Sequence, residues 1–229
     1  MPDRPSQHLL LFDIDGTLVR KTGTWHRMAL IEAVRQITGL QTTTDGIPVH
    51  GMLDPDILTL MLRAEGFTDA RIAAALPAIL PAAEEAYLAT VPDLTGKHCP
   101  GVPELLTELE ARRIPLALVT GNLTRIGWRK LERTGGLHRF FRFGAFGEMA
   151  PTRGGLARLA IERARHEGLI APGARITLIG DAPQDVRAAQ ENGIACVAVR
   201  TGITPAGDLE ACSPDHILDD LTRLDLAII

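Results

Sequence analysis

An apolar run that starts at residue 9 ends abruptly in carboxylates. Residues 9–12 are Leu-Leu-Leu-Phe, and Asp13 and Asp15 follow with one isoleucine between them. A short, continuous apolar run is typical of a buried strand. Residues two apart on an extended backbone point to the same side, so both carboxylates are expected to project from the end of that strand. Gly16 lets the chain turn sharply there, and two like charges this close require a cation or a shared proton.

Residues 20–90 show helical periodicity and no convincing strand. The pattern predicts three helices, over 25–38, 54–64 and 69–89. Asp54 is expected to be the N-cap of the second helix, with a proline at its first position. Pro77 and Pro81 are expected to break or kink the third.

From about residue 96 strands alternate with helices. The predicted helices cover 102–112, 123–133, 154–166 and 183–191, and the predicted strands cover 114–119, 176–180, 194–199 and 216–218. This alternation predicts a parallel sheet with helices on both faces. We therefore expect an α/β fold, with a doubly wound, Rossmann-like core formed by residues 1–19 and 96–229. An all-helical cap, residues 20–95, is inserted between the two parts.

Composition excludes some classes of function. The 229 residues carry a formal net charge of −4, which gives no basic excess for binding nucleic acid. No apolar run approaches the ~20 residues that span a bilayer, and residues 1–7 are too polar for a signal peptide. The three cysteines are sparse and lack metal-ligand spacing. The expectation is a cytoplasmic protein that binds neither membrane nor nucleic acid.

Three of the predicted strands end in polar residues. These are Asp13 with Asp15, Thr120 with Asn122, and Asp181 with Asp185. Ligands of open parallel sheets bind at the carboxyl ends of the strands, near a topological switch point. The three clusters are therefore expected to meet in one crevice.

The motifs at these positions resemble those of the haloacid dehalogenase superfamily. They read Asp-Ile-Asp-Gly-Thr from residue 13, Val-Thr-Gly-Asn from 119 and Gly-Asp-Ala-Pro-Gln-Asp from 180. The likeness covers essentially the whole chain and is greatest to the phosphoglycolate-phosphatase-like branch. It implies a Mg²⁺-dependent phosphatase that hydrolyses a small phosphorylated metabolite through a phosphoaspartyl intermediate.

The resemblance also implies roles for individual residues. Asp13 would be the nucleophile and Asp15 the general acid and base. The direct Mg²⁺ ligands would be Asp13, Asp181 and the Asp15 main-chain carbonyl, with Asp185 acting behind them. Phosphate would be bound by Thr120, Gly121 and Asn122, together with Gly16 and Thr17.

One part departs from the family pattern. The family places a lysine, sometimes an arginine, before the last motif, and residues 131–180 contain no lysine. Arg153 and Arg158 are the candidates. Arg153 is preferred because it stands just before a predicted helix and because guanidinium binds phosphate as a fork.

Alternatives remain at this stage. A phosphomutase of the same fold would transfer the phosphoryl group to a second substrate hydroxyl, and the missing lysine motivates a non-catalytic phosphate-binding protein. Residues 20–26 follow the first motif and include Arg20, Lys21, Trp25 and His26, which could face the substrate. Of these, Arg20 or Lys21 could meet a carboxylate or a second phosphate. The sequence leaves the substrate and the oligomeric state open.

Overall fold

The computed structural model of the protein describes residues 4–226. Its six strands form one parallel sheet in the order β3-β2-β1-β4-β5-β6. The strands are β1 Ser6–Phe12, β2 Leu116–Val119, β3 Phe143–Ala145, β4 Ile170–Gly180, β5 Ala195–Val199 and β6 His216–Leu218. The helices are α1 Trp25–Thr38, α2 Asp54–Ala64, α3 Asp69–Thr90, α4 Val102–Ala111, α5 Thr124–Arg133, α6 Arg153–His166, α7 Pro183–Glu191 and α8 Ala206–Ala211. The predicted α/β class is confirmed.

Strand β1 lies in the middle of the sheet because every residue of its apolar run is buried. Leu10 and Phe12 belong to the core on one face, and Leu9 and Leu11 to the core on the other. All four side chains are completely inaccessible to solvent. Burial of each contributes about 1.5–3 kcal/mol, so a strand covered on both faces needs such an unbroken run.

Two elements of the sheet differ from the prediction. The sequence did not predict strand β3, because three residues with a central glycine give no periodic signal. Strand β4 begins at Ile170, six residues before the predicted start, where Ile170 pairs with Ser6. That early part reads Ile-Ala-Pro-Gly-Ala-Arg, and its Pro-Gly pair indicates a turn instead of a strand.

Helices α1, α2 and α3, here called the inserted helices, surround a third core of their own. Leu123 and Ile126, from the start of α5, also pack into this core. Among the described residues 20–95 no strand is present, as expected. The division into a catalytic core and a cap stays a prediction.

Helix α3 contradicts the expected break at its prolines. It runs unbroken through Pro77 and Pro81, whose side chains are both exposed. A helix that curves with its convex side toward solvent lets water satisfy the carbonyls that lose their partners. The predicted break is therefore wrong, because both prolines lie on the solvent-exposed side of the helix.

Helix α3 is also the one helix among residues 4–226 that is long and apolar enough to span a membrane by length and composition. The expectation that no apolar segment approaches that length is wrong for this alanine-rich helix. In the structure its face of Ile72, Ile79, Ala83 and Tyr87 is buried in the core of the inserted helices.

Candidate active site

The carboxyl ends of the central strands meet at one pocket. Phe12 in β1 pairs with Leu118 in β2 and Ile179 in β4, so the residues that follow the three strands lie at the same edge. The pocket has a volume of about 550 Å³. Eight of the site residues predicted from the sequence line this pocket, namely Asp13, Asp15, Gly16, Thr120, Gly121, Asn122, Arg153 and Asp181.

Three buried carboxylates form an acidic cluster below this pocket. Oxygens of Asp13, Asp181 and Asp185 all lie within 4.8 Å of one another. Burial, reinforced by the charges of the neighbouring carboxylates, raises the pKa of Asp181 well above its ordinary value. Burial also raises the pKa of Asp185, against the opposing effect of Arg153. The ionised cluster therefore requires more positive charge than the protein supplies.

The cluster has the donor set and the room for a divalent cation. Asp181 Oδ2 and Asp185 Oδ1 are buried without a hydrogen-bond partner. Two glycines leave the space beside Asp181 open, since a Cβ at Gly16 or Gly202 would lie 2.2 or 1.6 Å from Asp181 Oδ2. Oxygen donors in this arrangement suit Mg²⁺. The residues fit the predicted ion.

Arg153 is the cation that reaches the cluster. It is buried at the start of α6, and its Nη1 donates to Asp13 Oδ1 at 3.0 Å and to the Val119 carbonyl at 3.2 Å. Its Nε lies 3.3 Å from Asp185 Oδ1. Arg158 is exposed and lines a separate surface groove. Of the two arginines considered from the sequence, the geometry therefore favours Arg153 in place of the family lysine.

A hydrogen bond between two of its own side chains holds the loop after β2. Asn122 Nδ2 donates to Thr120 Oγ1 at 2.8 Å, and both residues are buried beside the pocket. Thr17 Oγ1 instead donates to Asp181 Oδ1 at 3.4 Å, so this hydroxyl is directed toward the acidic cluster. Phosphate binding by Thr120, Gly121 and Asn122 stays a prediction, as it does for Gly16 and Thr17.

Asp15 has a partner that the sequence reasoning missed. Lys130 Nζ, from α5, lies 2.6 Å from Asp15 Oδ2, and Asn122 Nδ2 donates to the same oxygen at 2.8 Å. Partial enclosure opposes ionisation of Asp15, but the Lys130 charge and the hydrogen bonds from Lys130 and Asn122 lower its pKa. Lys130 could have been noticed because it falls in the apolar stripe of α5, next to Leu131 and four residues after Ile126.

Asp54 does not act as the predicted N-cap. The N-cap of α2 is Leu53, and no side chain caps this helix. The Asp54 carboxylate Oδ2 accepts instead from the Leu123 backbone N–H at 2.8 Å and lies 2.9 Å from His26 Nε2. The prediction failed because α2 begins at Asp54 itself, so that Pro55 is its second residue and removes one donor of the first turn, while a buried donor across the interface needs an acceptor.

A loop from the inserted segment covers the other side of the pocket. His50 Nε2 lies 2.6 Å from Thr204 Oγ1, which itself donates to the Asp181 carbonyl at 2.7 Å. Thr204 thus accepts from His50, and burial lowers the pKa of that histidine, in keeping with a neutral ring. The Asp54 backbone N–H also donates to the Gly121 carbonyl at 2.8 Å. The inserted segment therefore contacts the loops at the carboxyl ends of the strands.

Comparison with known proteins agrees with this geometry. Residues 8–193 match the family described as haloacid dehalogenase-like hydrolase. A phosphoglycolate phosphatase of Pseudomonas syringae pv. syringae is 29% identical, covering 94% of this chain and 78% of that protein. A 5'-nucleotidase of Pseudomonas aeruginosa is 27% identical, covering 94% and 92%.

The fold itself is shared with solved structures. The crystal structure of CbbY from Rhodobacter sphaeroides in complex with phosphate superposes with a TM-score of 0.70 at 23% identity. The match covers 96% of this chain and 97% of that one. With the family match over residues 8–193, these findings lead to one conclusion: the chain belongs to the haloacid dehalogenase-like hydrolase family.

Proposed function

We propose that the protein is a Mg²⁺-dependent phosphatase that hydrolyses a small phosphomonoester through a phosphoaspartyl intermediate. One observation carries the proposal: two carboxylates with opposite surroundings open onto the same pocket. Asp13 is buried in the acidic cluster beside Arg153, whereas the Asp15 side chain is 43% exposed and bound to Lys130. Their surroundings suit a nucleophile and a proton carrier.

The reaction would proceed in two displacements. An Asp13 oxygen attacks phosphorus, the bond to the ester oxygen breaks, and Asp15 gives that oxygen its proton. In the second step water attacks the phosphoaspartate, Asp15 takes the proton of that water, and phosphate leaves with the Asp13 carboxylate restored. The first step requires a protonated Asp15 and the second an ionised one, and the lowered pKa of Asp15 favours the form that the second step requires.

Arg153 and the loop after β2 would hold the phosphoryl group. The Arg153 guanidinium lies at hydrogen-bond distance from the proposed nucleophile, so a phosphate placed there would share its positive charge. Asp13 and Asp181, with the Asp15 main-chain carbonyl, would bind Mg²⁺, and Asp185 would orient them. The ion supplies charge that offsets repulsion between the carboxylates and the phosphate.

The pocket favours a substrate with a second acidic group. Arg20, Lys21 and Arg27 line it and form no salt bridge among residues 4–226, although the charge of Arg20 also acts on Asp220. Phosphoglycolate appears in the name of a relative, and as a substrate here it would place a carboxylate near these cations. The pocket also has room for a larger ester, and a relative named 5'-nucleotidase makes nucleotides the second class to test.

We further propose that the inserted helices form a cap that encloses the substrate. Enclosure would exclude bulk water and orient the ester. The sequence allowed a phosphomutase as well, and no observation in the described residues favours it over hydrolysis. Product analysis separates them, since a mutase yields an isomeric sugar phosphate without releasing inorganic phosphate.

The proposal is tested by release of inorganic phosphate from a panel containing phosphoglycolate, nucleoside monophosphates, sugar phosphates and p-nitrophenyl phosphate. Activity is expected with Mg²⁺ and none after EDTA. Asp13→Asn should lower activity on the order of a thousandfold or more. Asp208→Asn, a neutralised exposed aspartate on α8, should not. Full activity in Asp13→Asn would refute the assigned nucleophile.

A further inference from the structure

Lys130 is a buried ammonium with no role in the two displacements described above. Its side chain is 1% exposed. Its Nζ has three partners, which are Asp15 Oδ2 at 2.6 Å, Asn122 Oδ1 at 2.6 Å and His26 Nδ1 at 3.1 Å. An ammonium has three N–H donors, so these acceptors satisfy it fully. A buried charge with this complete a set of partners is held in one place.

The contacts on Asp15 are made on one oxygen. Both Lys130 and Asn122 donate to Oδ2. Within the described chain no hydrogen bond reaches Oδ1, although the residue lines the pocket. The two donors therefore fix the plane of the carboxylate and leave one oxygen for proton exchange with the substrate.

The opposite side of Lys130 belongs to the inserted helices. His26 Nδ1 accepts from the ammonium, so the ring proton is on Nε2, which donates to Asp54 Oδ2 at 2.9 Å. Asp54 also accepts from the Leu123 N–H. His26 lies on α1 and Asp54 on α2, while Lys130 lies on α5. A shift of α1 away from α5 would remove one of the three acceptors.

We propose that Lys130 is a positioning residue: it holds Asp15 by Oδ2 for proton transfer, and His26 makes this hold depend on closure of the inserted helices. The proposal rests on the proposed phosphatase function. It assigns to Lys130 and His26 an effect on the proton transfers of Asp15, of which the first is protonation of the leaving oxygen. It assigns them no part in binding phosphate or the cation.

Two aryl phosphates of similar shape isolate that step. p-Nitrophenolate leaves readily without a proton, whereas phenolate is a poorer leaving group and benefits from one. Under single-turnover conditions, with enzyme in excess, Lys130→Met should slow phenol release on the order of 100-fold, a usual size for general acid catalysis. Release of p-nitrophenol should slow by only a few-fold. The KM for each substrate, measured separately at steady state, should change little.

Further variants make the result decisive. Lys130→Arg, which keeps a cation, should restore part of the difference between the two substrates. Lys97→Met, which removes an exposed lysine, should change neither rate. His26→Phe should slow phenol release selectively but less than Lys130→Met, and it carries the test if Lys130→Met is not obtained folded. The double variant, with Lys130→Met and His26→Phe together, should slow phenol release by less than the two single effects combined, because both substitutions act on one contact.

Equal losses on both substrates, or no loss on either, would overturn the positioning role. Neither result would bear on the nucleophile, which Asp13→Asn tests separately on p-nitrophenyl phosphate.

Discussion

The active site contains two polar networks that differ in how completely they are satisfied. The acidic cluster and Arg153 lie on loops and helices that follow the sheet strands, and three of their buried atoms form no hydrogen bond within the described chain, namely Arg153 Nε, Asp181 Oδ2 and Asp185 Oδ1. The lysine network, formed by Asp15, Asn122, Lys130, His26 and Asp54, joins the sheet to the inserted helices, and every hydrogen of its ammonium has an acceptor.

This difference separates a site prepared for a ligand from a finished structural unit. A buried polar atom without a partner costs free energy that a cation or substrate can recover on binding. A fully satisfied buried network instead fixes one geometry, and removal of any member leaves the others unpaired. Neutralising a carboxylate of the acidic cluster and removing the lysine of the lysine network should therefore affect stability with opposite signs.

The largest expected effect is on activity, at Arg153, the cation that reaches the acidic cluster. Arg153→Met should lower kcat/KM by about 10²–10³-fold, comparable to removing one charge-stabilising donor from an active site. Arg153→Lys should keep most of the activity, because a lysine supplies the same charge. Arg158→Met is the matched control on the same helix and should be silent. Strong loss in Arg158→Met instead would move the role to that residue.

Breaking the lysine network should destabilise the fold. Lys130→Met leaves Asp15 and Asn122 without their shared donor, so the free energy of unfolding should fall by about 3 kcal/mol. Urea denaturation measures the change, with Lys97→Met as control. A loss of under about 0.5 kcal/mol, the usual effect of a surface substitution, would show that the network is not a unit.

Mg²⁺ should stabilise the protein, and more so at higher pH. The pKa of Asp185 is raised to about 7 from an ordinary 3.8, and that of Asp181 is raised in the same direction. The folded metal-free protein then binds protons that the unfolded chain has lost, so its stability should fall as pH rises from about 4 to 7. The cation binds the ionised carboxylates and opposes this fall.

Thermal melts with Mg²⁺ or EDTA measure the effect. Saturation to 100 times the Kd adds about 2.7 kcal/mol, and the gain in Tm should be larger near pH 8 than near pH 5. A gain that is equal at both pH values would contradict a cation held by these carboxylates.

The smallest expected effect is a gain in the free energy of unfolding, opposite in sign to the loss expected for Lys130→Met. Asp181→Asn removes one of the repelling charges, so without metal it should raise the free energy of unfolding by about 1 kcal/mol. The same variant should lose the Mg²⁺ stabilisation. Chemical denaturation in EDTA provides the measurement, and destabilisation there would mean that Asp181 has a favourable partner in the metal-free protein.

The sequence was informative wherever one residue's neighbours along the chain decide its environment. Leu9–Phe12 could be placed as a strand covered on both faces because its apolar run has no alternation. The meeting of Asp13 with Asp181 followed from the rule that parallel strands end at one edge. The bounds of α1 and α2 were predicted correctly from periodicity and from the terminal glycine and proline.

Contacts between distant segments could not be read in this way. Lys130 and Asp15 are 115 residues apart, and His26 and Asp54 belong to two different helices. Local rules gave Asp54 its most common role, an N-cap, because the Leu123 N–H that it satisfies lies 69 residues away. The pattern of α5 shows that a lysine faces inward but carries no information about its partner.

The two glycines that flank Asp181 have a consequence for reading motifs in this family. Neither Gly16 nor Gly202 has a side chain, and at Gly202 a single methyl group would lie 1.6 Å from Asp181 Oδ2. A related chain could keep all three carboxylates and still lose the position of Asp181 through one alanine. The proposed ion site thus depends on absent atoms as much as on present ones, and a search for aspartates alone would miss half of that requirement.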